Sequence, residues 1–155
     1  MKSKVYLETT VISYLTATPS RDIVQAAHQQ ITREWWERRE DFDLFVSQAV
    51  ITEAGRGDSG AATRRLAALD EAAVLEVTED ASKLAEALID QHALPAKAAV
   101  DALHIAVAVV MGMDYVLTWN CTHIANAAIR PRIEEACRKL GYEPPVICTP
   151  EELMG

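Results

Sequence analysis

The sequence predicts an α/β fold, a three-layer α/β/α sandwich with a central parallel sheet. Short apolar runs rich in β-branched and aromatic residues alternate along the chain with segments of helical periodicity. Such alternation implies parallel strands joined by right-handed crossovers, so helices cover both faces of the sheet. The 155 residues, half of them hydrophobic, suffice for one domain with a sizeable core, spanning 1–155, and leave no room for a second.

The first apolar run, Val5-Tyr6-Leu7, reads as a strand, and Glu8-Thr9-Thr10 ends it with an acid and two hydroxyls before Val11 to Leu15 begins a short helix. Thr18-Pro19-Ser20 is a break, and Asp22 suits the first turn of a helix whose apolar stripe is Ile23, Ala27, Ile31 and Trp35, closing on Arg38 and Arg39. Trp36 lies beside that stripe. Asp43 to Ser47 is the second strand, and Gln48 to Ala54, ended by Gly55, is a short helix that carries Glu53. Asp58 or Ser59 caps a helix marked by Ala62, Leu66 and Leu69. Val74 to Val77 is a third strand, and Thr78 caps a helix running through Leu84 and Leu88 to about Gln91. Pro95 opens a helix from Ala96 to Met111 that is apolar nearly all round, hence buried, and contains Asp101. Gly112 ends it. Tyr115 to Thr118 is the fourth strand, Trp119 to His123 a polar turn, Pro131 to Leu140 a helix, and Val146 to Cys148 a last strand before a turn at Thr149-Pro150.

A net charge of −8 disfavours non-specific binding to nucleic acid, so a polyanionic partner needs a local basic patch, divalent cations or both. Candidate cations are Arg33, Arg38, Arg39, Arg56, Arg64, Arg65, Arg130 and Arg132. Cys121, Cys137 and Cys148 form no disulfide framework, suggest a reducing compartment, and read as core or near-core thiols. Cys121 and His123 lack the second pair that a structural zinc site requires. The opening residues do not read as a signal peptide, and no run is long enough to span a membrane. The expectation is a soluble, cytoplasmic protein.

Three carboxylates fall at strand ends or in buried helix: Glu8, Glu53 and Asp101. Asn120 follows the fourth strand. In open α/β sheets ligands bind beyond the carboxyl ends of strands. An ionised Asp in an apolar helix is expensive unless paired or holding a metal, and either Lys97, one turn earlier, or a cation could serve Asp101. If the three acids converge they repel, by roughly 4 kcal/mol for a pair about 4 Å apart at an effective dielectric near 20. Hard oxygen ligands of this kind select Mg²⁺ or Mn²⁺. His104, three residues after Asp101, either hydrogen-bonds near the acids or sits satisfied in the core, and reads as the latter; His28 and His92 read as surface residues, and His123 as lying near the acids.

The stretches Val5 to Leu15 around Glu8, Val46 to Glu53, Val100 to Ala106 around Asp101, and Asp114 to Asn120 resemble, in order and separation, the four motifs of PIN-domain ribonucleases. The similarity covers nearly the whole chain and is strongest to VapC-type toxins of bacterial toxin–antitoxin pairs. The resemblance implies Mg²⁺- or Mn²⁺-dependent endonucleolytic cleavage of RNA, a homodimer, and a cognate antitoxin that blocks the site. It assigns Glu8, Glu53 and Asp101 as metal-binding acids, Asn120 as the match to a fourth acid, and Thr10 and Thr118 as hydroxyls that orient the first and last. Two positions depart from the pattern: Glu8 extends the usual Asp by one C–C bond, about 1.5 Å, and Asn120 removes a charge. A one-metal site with a weakly held second ion is the expectation. The alternative within the same fold is a catalytically weak module that binds RNA or protein. Gly55-Arg-Gly57-Asp-Ser-Gly60 imitates a dinucleotide-binding G-x-G-x-x-G, but Glu53 and Ala54 separate it from any strand and Asp58 would face a pyrophosphate, so it reads as a turn between helices. Glu8-Thr9-Thr10 also lacks the Asp nucleophile of an aspartyl phosphatase.

Overall fold

A computed structural model of the chain describes residues 1–154. The strands are β1 (Ser3–Leu7), β2 (Phe42–Ser47), β3 (Ala73–Leu75), β4 (Tyr115–Leu117) and β5 (Val146–Cys148). They form one sheet in the order β3-β2-β1-β4-β5, and every neighbouring pair is parallel. Helices α1 (Thr9–Thr16) and α2 (Ile23–Trp36) follow β1; α3 (Gln48–Ala54) and α4 (Ser59–Ala68) follow β2. Helices α5 (Glu79–Asp90) and α6 (Ala99–Val110) join β3 to β4, and α7 (Arg130–Lys139) joins β4 to β5.

Val5, Tyr6 and Leu7 are all fully buried although successive residues of a strand point to opposite faces. Both faces of β1 are therefore covered, as a parallel sheet requires. The fold is the α/β sandwich that the alternation of elements predicts. Its chain order also sets the site: strands β1 to β3 run outward in one direction and β4 and β5 in the other, so the order reverses between β1 and β4. Beyond the carboxyl ends of these two strands stand Glu8 and Thr118.

Four local expectations change. Helix α2 buries only the later half of the stripe read from its periodicity: Ile23 is 86% exposed and Ala27 is exposed, Ile31 is half-buried, and Trp35 is fully buried beside Gln29 and Thr32. Hydrogen bonding decides this rotation, because Gln29 Oε1 accepts from the Ser20 amide, its Nε2 donates to the Thr18 carbonyl, and Thr32 Oγ1 accepts from Trp119 Nε1 at 2.7 Å. His28 turns inward with them and stacks on Trp119, ring centroids 4.0 Å apart, so it is not a surface residue. Helix α6 starts at Ala99, after a 3-10 turn over Ala96–Ala98. Asp101 consequently lies in the first helical turn, where the unpaired amides favour an anion, rather than deep within the helix. Cys137 and Cys148 are buried but Cys121 is exposed. The glycine-rich segment is a turn between α3 and α4, with Asp58 capping α4 through the Ala61 amide.

Ile105 lies wholly within the core on α6. Ile105→Ala is expected to cost about 2–5 kcal/mol in urea denaturation, while Val100→Ala, on the outer side of the same helix, should change stability by no more than ~0.5 kcal/mol. Equal effects at the two positions would contradict the burial described.

Candidate metal centre

Strand β1 ends at Leu7 because Glu8 takes the N-cap position of α1, extended at φ −76° and ψ 153°, with its amide donating to the Leu117 carbonyl of β4. This backbone bond places Glu8 beside Thr118. The Glu8 side chain is 3% exposed. Its Oε1 accepts from Thr10 Oγ1 at 2.5 Å and from Thr118 Oγ1 at 2.6 Å. Thr10 Oγ1 in turn accepts from the Trp119 amide, and Thr118 Oγ1 from the Asn120 amide. Both hydroxyls spend their single proton on the same carboxylate oxygen.

Glu53 reaches the site from α3. Its Oε1 accepts from Thr9 Oγ1 at 2.7 Å and lies 2.5 Å from His104 Nε2 of α6. The Oε2 atoms of Glu8 and Glu53 accept no hydrogen bond among the described residues. Each glutamate thus has one oxygen locked by two donors and one with its lone pairs unengaged.

Asp101 sits at the rim, half-buried. Its Oδ1 accepts from Asn120 Nδ2 and its Oδ2 lies against His123 Nδ1, both at 3.1 Å. Asn120 Oδ1 accepts from the His123 amide, which fixes the orientation of its amide group. Lys97 is exposed and makes no ion pair among the described residues, so the helical pairing with Asp101 does not form. Lys97 belongs to the 3-10 turn before α6, outside the α-helical geometry that an i, i+4 pair needs.

Two sets emerge. Glu8, Glu53 and His104 each offer a ligand atom, and these atoms all lie within 4.8 Å of one another. Asp101 and Asn120 join them through the Thr118 hydroxyl. The two readings open for His104 both hold: it is fully buried in the core and also lies against Glu53, because a histidine in an apolar helix must find partners for two ring nitrogens. Sequence reasoning missed Thr9, Tyr6 and the role of His123 on Asp101.

Electrostatics set the two glutamates apart. Burial, the dominant cause, raises the Glu8 carboxyl above its ordinary range, against the lowering influence of His104 and the two threonine hydroxyls. Burial also pushes Glu53 upward, but the hydrogen bonds from His104 and Thr9, with the Arg56 guanidinium nearby, outweigh it, and the net shift is downward. Two ionised carboxylates about 4.8 Å apart would repel by roughly 3 kcal/mol at an effective dielectric near 20. The residues fit a hard divalent cation: an oxygen-rich donor set, two carboxylate oxygens without partners, and a buried acid whose ionised form is only partly compensated by its hydrogen bonds.

The PIN domain family model matches residues 5–120, from the first strand to Asn120. The chain belongs to the PIN domain family. Among solved structures this PIN domain resembles VapC20 of Mycobacterium tuberculosis, described as a sarcin–ricin-loop-cleaving toxin, at 18% identity with a TM-score of 0.60, covering 76% of this chain and 91% of that one. It also resembles a chain of VapBC2 from Rickettsia felis, solved bound to a DNA fragment from their promoter, at 12% identity with a TM-score of 0.57, covering 94% and 98%. No curated protein matches the sequence significantly.

The opposite shifts at Glu8 and Glu53 give opposite pH dependences in the metal-free PIN domain. Glu8 holds its proton more tightly folded than unfolded, so its contribution to stability falls as pH rises from the unfolded carboxylate value of 4.5 through the higher folded value. Glu53 contributes stability above the unfolded value, lost as pH falls through the lower folded one. Glu8→Gln keeps an acceptor for Thr10 and Thr118 and should raise the melting temperature in EDTA near neutral pH, by ~2–4 °C for each kcal/mol of desolvation relieved. Glu53→Gln should lower it. Thermal denaturation at about pH 3, pH 5 and pH 8 checks both signs: the advantage of Glu8→Gln should grow from pH 5 to pH 8, and the deficit of Glu53→Gln should shrink from pH 5 to pH 3.

Proposed function

We propose that this chain acts, as one domain, as a divalent-metal-dependent endoribonuclease and the toxin of a toxin–antitoxin pair. The observation that carries this reading is the convergence of Glu8 and Glu53, each with one locked and one unengaged carboxylate oxygen, at the crossing point between β1 and β4. The likeness to VapC20, a toxin that cleaves the sarcin–ricin loop, supports RNA as the substrate class. Mg²⁺ or Mn²⁺ is the cofactor that the oxygen donors favour.

Glu8, Glu53 and Asp101 would hold the cation. When bound, it polarises the phosphodiester, activates the attacking water and stabilises the leaving oxygen. The protein's own residues perform the positioning. Thr10 and Thr118 fix the Glu8 carboxylate, and Thr118 also anchors the Asn120 amide. Asn120 holds Asp101 and supplies a neutral polar group where a fourth acid would add charge. Asp101, held at the rim by Asn120 and His123, would have to give up those contacts to serve as a ligand.

Most of the candidate arginines are engaged within the protein. Arg38, Arg39, Arg64, Arg65, Arg130 and Arg132 donate to backbone carbonyls. Arg56 is exposed and close enough to lower the Glu53 carboxyl. It is the cation best placed to meet a substrate phosphate beside the acids. The same reading has the chain working in the cytoplasm as a homodimer opposed by a cognate antitoxin. The VapBC2 structure supports such a partner, and Ile23 and Val24, 86% and 63% exposed, offer apolar surface to a protein. No helix among the described residues is long and apolar enough to cross a membrane.

Purified Glu53→Gln and Asp101→Asn proteins are expected to cleave RNA on the order of 100-fold more slowly than wild type in Mg²⁺ or Mn²⁺, and EDTA should abolish wild-type cleavage. Cleavage at wild-type rates by either variant would remove the proposed mechanism. Retained RNA or partner binding without Mn²⁺ binding in calorimetry would instead identify a binding module.

A further inference from the structure

Behind Glu53 runs a line of buried polar side chains that the cleavage chemistry does not itself use. His104, Tyr6 and Ser47 are fully buried. His104 Nε2 lies 2.5 Å from Glu53 Oε1, His104 Nδ1 lies 2.7 Å from the Tyr6 hydroxyl, and that hydroxyl lies 2.8 Å from Ser47 Oγ. The three residues come from α6, the central strand β1 and the end of β2, so the line crosses the middle of the fold. Unsatisfied polar groups at such depth would cost about 1–3 kcal/mol each.

Counting protons gives the line a direction. A carboxylate oxygen only accepts, so His104 Nε2 carries the hydrogen. With the ring neutral, Nδ1 accepts and the Tyr6 hydroxyl is the group that donates to it. That hydroxyl has then spent its one proton, so it accepts from Ser47. A charged ring would reverse the line, with Nδ1 donating to Tyr6 and Tyr6 to Ser47. The opposite tautomer would set two lone pairs, on Nε2 and Oε1, against each other at 2.5 Å.

We propose that Ser47, Tyr6 and His104 form a positioning relay that pins Glu53 Oε1 and presents Oε2 to the cation, with His104 acting through Glu53 and not as a ligand. This rests on the cation-site reading of the proposed function. Although His104 lies in the same cluster as Glu8 and Glu53, both its ring nitrogens are engaged, and Mg²⁺ and Mn²⁺ favour oxygen over imidazole. Thr9, the second donor to Oε1, completes the clamp from α1. Support one layer behind the ligands characteristically sets metal affinity.

The test combines ring ¹⁵N NMR of the metal-free protein with Mn²⁺ calorimetry. In wild type, His104 should carry its proton on Nε2 alone, and Tyr6→Phe should shift the Nδ1 resonance. A proton on Nδ1 overturns the relay. His104→Leu should weaken Mn²⁺ binding about tenfold or more, and His104→Gln, which keeps an N–H near the Nε2 position, should recover most of the loss. Tyr6→Phe preserves ring shape and tests the relay even where His104→Leu fails to fold. It should weaken Mn²⁺ binding several-fold. Unchanged affinity in Tyr6→Phe would mean that His104 ligates directly or only packs, and either overturns the proposal. Absence of Mn²⁺ binding in wild type removes the relay's role toward a cation. An intact Nε2–H signal in that case locates the failure in the cation reading and not in the hydrogen bonding.

Discussion

Glu8 is held at one oxygen by hydroxyls from two different segments, Thr10 at the start of α1 and Thr118 at the end of β4. The rest of the site depends on this pair of hydrogen bonds. It ties the exit of the first strand to the exit of the fourth at the place where the strand order reverses. The Leu117 carbonyl accepting from the Glu8 amide sets the spacing, and the two hydroxyls set the side-chain direction. Asn120 and Asp101 are then placed by bonds that start from Thr118, so geometry spreads from one buried carboxylate to the rim.

The second glutamate is held differently. Glu53 stands on the seven-residue helix α3. Its orientation is supplied from outside, by Thr9 and by His104, and His104 is in turn supported by Tyr6 and Ser47. The two acids meet with opposite electrostatic tendencies: burial favours the protonated form of Glu8, while donors and nearby positive charge favour the ionised form of Glu53. A divalent cation between them would favour the ionised form of both. Asp101 and His123, partly exposed, form the edge of the site.

Much of the layout was legible because it rests on patterns of short range. Each strand is a compact apolar run, and its last residues change from apolar to hydroxyl or acid where the sheet ends, as at Leu7-Glu8 and Leu117-Thr118. Legibility failed where a side chain answered to a distant partner. The stripe Ile23, Ala27, Ile31 and Trp35 is a fair helical period, yet α2 turned to bury Gln29 and Thr32, because a loop carbonyl and the Trp119 indole needed them. Lys97 and Asp101 stand four apart, but a 3-10 turn separates them. His28 carries no local signal that it will stack on a residue ninety-one positions later.

The sequence by itself determined the α/β class, the order of the strands along the chain, and the residue types gathered at their ends, since periodicity and polarity are local properties. Only the tertiary structure decided which oxygen of each glutamate is locked, that His104 and Tyr6 stand behind Glu53, and that His123 and Asn120 take the place beside Asp101 that Lys97 could have filled. These depend on strand register and helix rotation, which bring together groups as far apart as Glu8 and Thr118. Hydrogen bonds across 110 positions leave no trace in local pattern, and they are what turn a set of acids into a site.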